Sequence, residues 1–342
     1  MGINRSFFFI AILQTLILFC KENSIDNNCP QGQMLLDSFS DGTTTYFLGT
    51  DGKVYSQNAD GCQFVEQYFD PNFLNSNYVF KGNKIYEYAD TKELIKTKQH
   101  IEEDFEGYTK FVDLFMNSIT DTLKNWNDVV LQSPTNPSIE DYVALRKCLM
   151  NETCDFDDNR IDFASDPITI TNTCLKFTSF APTPSMVTSK SSIENAILFI
   201  DKGDELWYEA DYYIDEGMPT TIVDFENKWF NQSPGIRLIF DDQQALAVEL
   251  KYGSKPYYRQ MDANKVSFPK KQWVRVKVYF FMDEGSGGKI KVWQDGVEIV
   301  NLTGKTLPTA NSIQTNLEIG ITATAQNTVM FIDNLVFDVV HN

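Results

Sequence analysis

Two kinds of residue are scarce in this chain of 342 residues. It has two histidines, His100 and His341, and its 29 basic side chains are outnumbered by 47 acidic ones. The net charge of −18 argues against nucleic acid as a partner, because binding a polyanion needs clustered Lys and Arg. With so few histidines, and with no two cysteines at a CxxC spacing, a structural zinc site is not expected. No feature of the sequence requires a cofactor.

The N-terminus carries the longest apolar run. Residues Phe7 to Phe19 follow Arg5 and are too few to cross a bilayer, so residues 1–19 are predicted to be a signal peptide. The run ends at Cys20, as at the cleavage site of bacterial lipoproteins, although Phe19 stands where such sites have a small residue. We expect an exported protein that is either anchored at the cell envelope through a lipid on Cys20 or secreted.

The other cysteines lie in a chain expected to reach an oxidising compartment, where disulfides persist. Cys29 and Cys62 bracket a β-rich segment and could staple it. Cys148 and Cys154 could close a tight loop, which leaves Cys174 unpaired or exchanging with one of them.

Residues 20–90 are predicted to be a small β-hairpin region. Alternating runs flank turns at Asp51-Gly52 and at residues 81–83, and glycine in a short polar turn is typical of hairpins. Residues 91–154 are predicted to be a helical connector. One helix is predicted from apolar residues at helical spacing, namely Val112, Phe115, Ile119, Leu123 and Trp126. A second is predicted to start at Ser138, with Asp141 completing a capping box, and to run through Leu149.

From residue 155 to 342 the pattern is almost entirely that of short strands. Runs such as WVRVKVYFF alternate apolar and polar residues, and polar turns separate them, which predicts an antiparallel β-sandwich or jelly roll. In KIKVWQDGVEIVN, residues 289–301, two such runs flank an Asp-Gly turn. Parity places Trp293 with Lys289 and Lys291 on the face away from the core, as a stacking platform or as a cap on the turn.

The succession FPKKQWVRVKVYFF, GGKIKVWQDGVEIV, LEIGITA and MFIDNLVF resembles the second half of the concanavalin A-like lectin/glucanase jelly roll. The features in common are a strand that begins with Trp, a hairpin with a short glycine turn, and a last strand with an Asp-Asn pair between apolar residues. The resemblance implies a mainly β fold over residues 155–342. It leaves the function open, because this fold includes lectins, adhesion modules, glycosidases and polysaccharide lyases.

The polar faces of these strands are candidates for ligand binding. If the strands share one sheet, their outer face would form a groove of charged and aromatic side chains suited to a glycan or another surface ligand. The residues predicted to line it are Glu209, Asp211, Arg237, Glu249, Lys251, Arg275, Lys277, Tyr279 and Trp293. The alternative is an ordinary solvated sheet face, which is polar in any protein.

The sequence bears on two kinds of glycan cleavage. A glycosidase of this fold is disfavoured, because the nearest acidic run, EADYY, lacks a third acidic residue. The run ELKYGSKPYYRQ resembles a lyase signature with Lys, Gly and Tyr. That resemblance implies a polyuronate lyase, in which a tyrosine would serve as both base and acid, with the set Tyr257, Tyr258, Lys251, Arg237 and Arg259.

The segment CDFDDNRIDFASD resembles a calcium loop. Asp155, Asp157, Asn159 and Asp166 occupy ligand positions of such a loop. Arg160 replaces the glycine that an EF-hand requires, so the two interpretations are a looser structural calcium site and a plain acidic surface loop.

The sequence as a whole predicts an exported surface protein with a glycan-binding or ligand-binding jelly roll. The alternatives are a polysaccharide lyase and a non-catalytic structural component of the cell envelope or an appendage.

Overall fold

The computed structural model describes residues 35–40, 45–49, 53–58, 61–67, 78–81 and 84–87 and, from residue 99, all but 117–123, 197, 199, 201, 227–234, 253, 255, 309–313 and 342. The predicted signal peptide, Cys20 and Cys29 lie outside the described residues. The chain divides into two compact units, residues 1–71 and 72–342. Within the described part of the chain, no helix has the length and apolar character needed to span a membrane.

The first unit contains an antiparallel sheet whose strands pair in chain order. Its strands are β1 (Leu35–Ser40), β2 (Thr45–Gly49), β3 (Lys53–Asn58) and β4 (Gly61–Gln67). Strands β2 and β3 pair with each other, which confirms the predicted hairpin, while Asp51 and Gly52 of its turn lie outside the described residues. Cys62 lies on β4 and is disulfide-bonded.

The second unit begins with a hairpin of β5 (Tyr78–Lys81) and β6 (Lys84–Glu87), as predicted. The strands that follow in this unit are β7 (His100–Glu103), β8 (Asp128–Val130), β9 (Arg160–Ser165), β10 (Thr173–Ser179), β11 (Ser189–Asn195), β12 (Glu205–Glu216), β13 (Thr221–Glu226), β14 (Gly235–Phe240), β15 (Leu246–Leu250), β16 (Tyr257–Tyr258), β17 (Trp273–Phe281), β18 (Gly288–Gln294), β19 (Val297–Gly304), β20 (Asn316–Thr324) and β21 (Thr328–Val340). It also contains one described α-helix, α1 (Ile139–Met150), and 3₁₀ turns at Phe111–Leu114 and Asp262–Asn264.

These strands form two large antiparallel sheets. Sheet I has the order β19-β18-β17-β12-β21-β10-β9, with β7 paired to β21. Sheet II has the order β16-β15-β14-β13-β20-β11-β8. Strands β7 and β8 fall in the region predicted to be a helical connector, and each joins one of the large sheets.

One apolar core contains side chains from both sheets, as in a β-sandwich. Val274, Val276 and Val278 of β17 are fully buried in it, and so are Leu246 and Val248 of β15. Alternation along the strands therefore predicts correctly which side chains enter the core. The mainly β sandwich predicted from the sequence is confirmed.

The predicted helix over residues 112–126 is wrong at both described ends. Phe111–Leu114 is a 3₁₀ turn, and Phe115 forms a parallel bridge with Trp126. Trp126 is fully buried in the core. Its packing shows that tertiary contacts can outweigh local propensity at this end of the segment. Ile119 and Leu123, the central positions of the predicted helix, lie outside the described residues.

The second predicted helix is confirmed as α1. Ser138 caps it: the Ser138 hydroxyl accepts a hydrogen bond from the Asp141 backbone N–H at 3.2 Å, and the Asp141 carboxylate accepts one from the Ser138 backbone N–H at 3.3 Å. Cys148, near the end of α1, forms the predicted disulfide with Cys154. Cys174 is a free, buried thiol.

Candidate functional site

The predicted ligand residues do not share one face. Glu209, Asp211, Arg275, Lys277, Tyr279 and Trp293 lie on sheet I, whereas Arg237, Glu249 and Lys251 lie on or beside strands of sheet II. The single groove expected from strand parity is therefore replaced by two separate polar faces. Alternation predicts which side of a strand a residue occupies, but it does not predict which strands are neighbours.

The outer face of sheet I holds a pocket of about 520 Å³. Register places Lys277 of β17 between Glu209 of β12 and Trp293 of β18. The pocket is lined by Trp207, Glu209, Arg275, Lys277, Trp293 and Gly296. Trp207 is not among the residues predicted to line the groove. It is two residues from Glu209 and therefore lies on the same face of β12.

Aromatic rings form much of the pocket wall. The ring planes of Trp207 and Trp293 are within 20° of parallel, and their centroids are 6.3 Å apart. Tyr279 packs against Trp207 at 4.5 Å between centroids. Trp293 thus lies beside the Asp295-Gly296 turn and at the same time lines the pocket.

Ion pairs fix the polar side of the pocket. Arg275 donates to the Glu209 carboxylate at 2.6 Å, and Lys277 lies 3.5 Å from the other oxygen of that carboxylate. Partial burial opposes ionisation of Glu209, but the hydrogen bond and charge of Arg275 outweigh it, so the pKa of Glu209 is lowered. The ammonium group of Lys277 also lies 5.0 Å from the Trp207 ring centroid, in a cation–π contact.

A β-bulge in β21 holds this charged group in place. The register of β12 with β21 shifts between Glu209 and Asp211, and Asn334 in the bulge has a φ of +49°. The Asn334 carbonyl accepts a hydrogen bond from Arg275 at 2.7 Å, and its side-chain amide donates to Asp211 at 3.0 Å. Bulges and left-handed residues of this kind often orient side chains at functional sites. The Asp-Asn pair noted in the sequence therefore has a structural role next to the pocket.

Sheet II carries a different arrangement: a row of polar residues that crosses six neighbouring strands. In register order the row is Glu194, Glu318, Asp224, Arg237, Glu249 and Tyr257. Arg237 is ion-paired with Glu249. The acidic members on β11, β13 and β20 are buried, which is unusual for charged side chains unless they are paired.

Two lysines neutralise part of this row. Lys251 pairs with Glu226 and lies 3.3 Å from Asp224, and all three side chains are at most 17% exposed. Burial opposes the charge on Lys251, but Asp224 and Glu226 outweigh it, so the Lys251 pKa is raised. Asp224 is also buried, yet the charges of Lys251 and Lys190 lower its pKa.

Glu318 is the most deeply buried acidic side chain of the row. Its side chain is 1% exposed and lies 3.4 Å from Lys190, and one carboxylate oxygen accepts a hydrogen bond from Ser192 at 2.5 Å. Its other oxygen has no hydrogen-bond partner among the described residues. Burial, reinforced by the neighbouring acidic groups, raises the pKa of Glu318 to about 8.

The residues named for a lyase are only partly brought together. Arg237 and Lys251 are engaged by carboxylates, and Arg259 pairs with Asp241 and Asp242 at 2.9 and 2.7 Å. Tyr257 lies opposite Glu249, whereas Tyr258 packs against the core. A lyase needs a cation to neutralise the uronate carboxylate and a poised base. Every cation in this set is already paired with an acidic side chain.

The predicted calcium ligands are not gathered into one site. Asn159 precedes β9 and Asp166 follows it, so a six-residue strand separates them. The Asn159 amide is used in hydrogen bonds to Ser189 and to the Gln132 and Lys190 carbonyls, and Asp157 accepts from Asn136. In the described part of the chain, no group of three or more His, Cys, Asp or Glu side chains is placed to hold a metal ion.

Sequence reasoning missed the acidic row of sheet II. Glu194, Asp224 and Glu318 of the row, together with Glu226 on the same strand as Asp224, alternate with apolar residues in SIEN, IVDFE and LEIG, so strand parity predicts that they lie on the face away from the core. Their convergence depends on pairing between strands that lie far apart in the sequence.

No protein-family model matches the chain, and no curated protein matches its sequence. Solved structures do resemble it. An endo-β-1,4-glucuronan lyase from the fungus Trichoderma reesei is 14% identical, with 63% of this chain and 92% of that chain covered and a TM-score of 0.44. Alginate lyase vAL-1 from Chlorella virus is 9% identical, over 53% and 90% of the two chains, with a TM-score of 0.37. A PL-14 alginate lyase from Aplysia kurodai is 11% identical, over 52% and 86%, with a TM-score of 0.32. Each likeness concerns the fold alone.

Proposed function

We propose that this protein binds a glycan through the pocket on sheet I and does not cleave it. The observation that carries the proposal is the combination of two nearly parallel tryptophans with an ion-paired Arg275–Glu209 group in one pocket. Aromatic rings pack on the apolar faces of sugar rings, and fixed charged groups hydrogen-bond sugar hydroxyls. Because Arg275 and Glu209 hold each other in place, the pocket is pre-organised, which reduces the entropy lost on binding.

A non-catalytic role fits the charges on both sheets. The Arg275–Glu209 pair favours the ionised form of Glu209 and so disfavours that group as a proton donor. On sheet II, the candidate lyase cations are engaged by acidic neighbours. An absorbance assay for unsaturated uronate, run over several polyuronates, is expected to stay flat, and a rising signal would replace this proposal with the lyase alternative.

Binding is expected to depend on Trp293. Trp293→Ala removes one of the two tryptophan rings of the pocket and should weaken glycan binding by about 10-fold or more, which corresponds to about 1.4 kcal/mol. The measurement is a glycan array to find a ligand, followed by titration calorimetry. Tyr257→Ala is the matched control, because it removes a partly exposed aromatic side chain from sheet II. If Tyr257→Ala weakens binding and Trp293→Ala does not, the glycan binds to sheet II and the proposed site on sheet I is wrong.

We further propose that the protein acts at the cell surface, with Cys20 as the point of lipid attachment. The support is the apolar run that ends at this cysteine. Expressed in a bacterial host and labelled with a palmitate analogue, the full chain should incorporate the label, and Cys20→Ala should abolish incorporation. Cys174→Ala is the control, since Cys174 is a buried free thiol in the sandwich. Label that survives in Cys20→Ala would exclude the anchor.

A further inference from the structure

The pocket on sheet I is bordered by a concentration of positive charge in an otherwise acidic protein. Alternation along β17 and β18 places four basic side chains on the same outer face as Trp293 and no acidic one: Arg275, Lys277, Lys289 and Lys291. In register, Lys291 lies opposite Tyr279, and Lys289 lies opposite Phe281. These two strands are therefore basic in a chain whose net charge is −18. The strands on either side add acidic side chains to the same face, Glu209 and Asp211 on β12 and Glu298 on β19, so the face carries both signs of charge.

The four cations differ in how strongly they are already paired with other groups of the protein. Arg275 is held by Glu209, Asp211 and the Asn334 carbonyl. Lys277 is 44% exposed, and its one ion pair among the described residues is a long contact of 3.5 Å with Glu209, beside its cation–π contact with Trp207. Among the described residues, neither Lys289 nor Lys291 has a carboxylate within 4.0 Å, and the ammonium group of Lys289 lies 5.8 Å from the Phe281 ring centroid.

We infer that the ligand of this pocket is an anionic glycan, whose sugar ring packs on Trp207 and Trp293 while Lys277 and Lys291 bind its carboxylate or sulfate groups. The inference rests on the proposed glycan-binding function and adds the chemical class of the ligand. A neutral sugar would use the tryptophans and the ion-paired Arg275–Glu209 group but would leave these lysines without a role. An anionic sugar engages both sets of side chains.

The experiment compares glycans that differ only in charge. Titration calorimetry on the full chain would use oligogalacturonate against its fully methyl-esterified form, and sulfated against unsulfated dextran oligosaccharide. At least one charged member is expected to bind about 10-fold more tightly than its neutral partner. The difference should shrink as salt is raised from about 0.1 M to about 1 M, where the screening length falls from about 10 Å to about 3 Å. The two pairs separate recognition of carboxylate from recognition of sulfate.

Lysine variants connect the charge preference to this surface. Lys291→Gln should weaken binding of the charged glycan by about 3-fold to 10-fold and leave binding of its neutral partner unchanged, because only the ionic contact is removed. Lys277→Gln also removes contacts to Glu209 and Trp207, so it should weaken binding of the charged glycan more than binding of the neutral one. Lys176→Gln is the control. Lys176 lies on β10 of the same sheet, with its ammonium group 5.7 Å from the Phe331 ring centroid, but two strands, β12 and β21, separate β10 from β17.

The outcomes separate the inference from the function on which it rests. Equal affinity for charged and neutral glycans, with both lost in Trp293→Ala, would overturn the inference and leave the proposed function intact. Binding of neither glycan, together with binding to vesicles of phosphatidylserine, would overturn both, because the basic surface would then recognise a lipid. A charge preference that Lys176→Gln reduces as much as Lys277→Gln would also overturn the inference, since it would reflect the field of the whole sheet.

Discussion

Lys251→Met is expected to lower the free energy of unfolding by about 3–5 kcal/mol, because it removes the lysine that contacts two buried carboxylates directly. Asp224 and Glu226 are 4% and 8% exposed, and Lys251 contacts both. Water cannot replace the lost ammonium group at such burial. Methionine nearly preserves the length of the side chain, so the effect reports the charge and not a cavity. Urea unfolding followed by circular dichroism at neutral pH measures it.

The control for this experiment is Lys202→Met, which breaks a surface pair. Lys202 contacts Glu284 at 2.5 Å, but its side chain is 53% exposed, so the change should stay within about 1 kcal/mol. Adding Asp224→Asn and Glu226→Gln to Lys251→Met should recover much of the stability, since the buried negative charges are then removed. If Lys251→Met alone costs less than about 1 kcal/mol, the three charges are better hydrated than their burial indicates.

Local sequence patterns predicted the parts of this fold that depend on neighbouring residues. Alternation identified the buried valines of β17, the Asp51-Gly52 and Asp295-Gly296 hairpins formed as expected, and Ser138 with Asp141 capped α1. Each of these is decided within a few residues of the chain.

The features that could not be predicted depend on contacts between strands that lie far apart in the sequence. Strand β12 pairs with β17 and β21, so Glu209 meets Lys277 and not the sheet II residues with which it was grouped. The same long-range pairing brings Glu318 beside Asp224 and Glu194. At Phe115 and Trp126, the described ends of a predicted helix, burial in the core and a bridge between the two residues replace the expected helical conformation. The composition of the pocket was therefore largely predictable, but its assembly was not.

The parent protein is expected to lose stability as pH rises from about 5 to about 8, and Glu318→Gln is expected to abolish this loss. Burial raises the pKa of Glu318 from its ordinary value of 4.5 to about 8. The folded state therefore holds a proton that the unfolded chain releases at lower pH. The stabilisation is fully present below about pH 4.5 and is lost as pH rises through about 8.

The measurement is the free energy of unfolding of parent and variant at several pH values between 5 and 9. Glutamine keeps the shape of the protonated acid and can still accept the Ser192 hydrogen bond, so the two proteins should be similar at pH 5. The variant should become progressively more stable than the parent above pH 6. Glu102→Gln, at a side chain that is 74% exposed, should leave the pH profile of the parent unchanged.

The opposite result is equally informative about sheet II. Glu318 is surrounded by acidic Glu194, Asp224 and Glu226, and the charge of Lys190 opposes them. If Glu318→Gln becomes less stable than the parent as pH rises, the Glu318–Lys190 ion pair outweighs both burial and the acidic neighbours. Glu318 would then be an ionised structural partner of Lys190 at neutral pH. A variant that gains stability instead would show that this face carries more buried negative charge than its lysines neutralise.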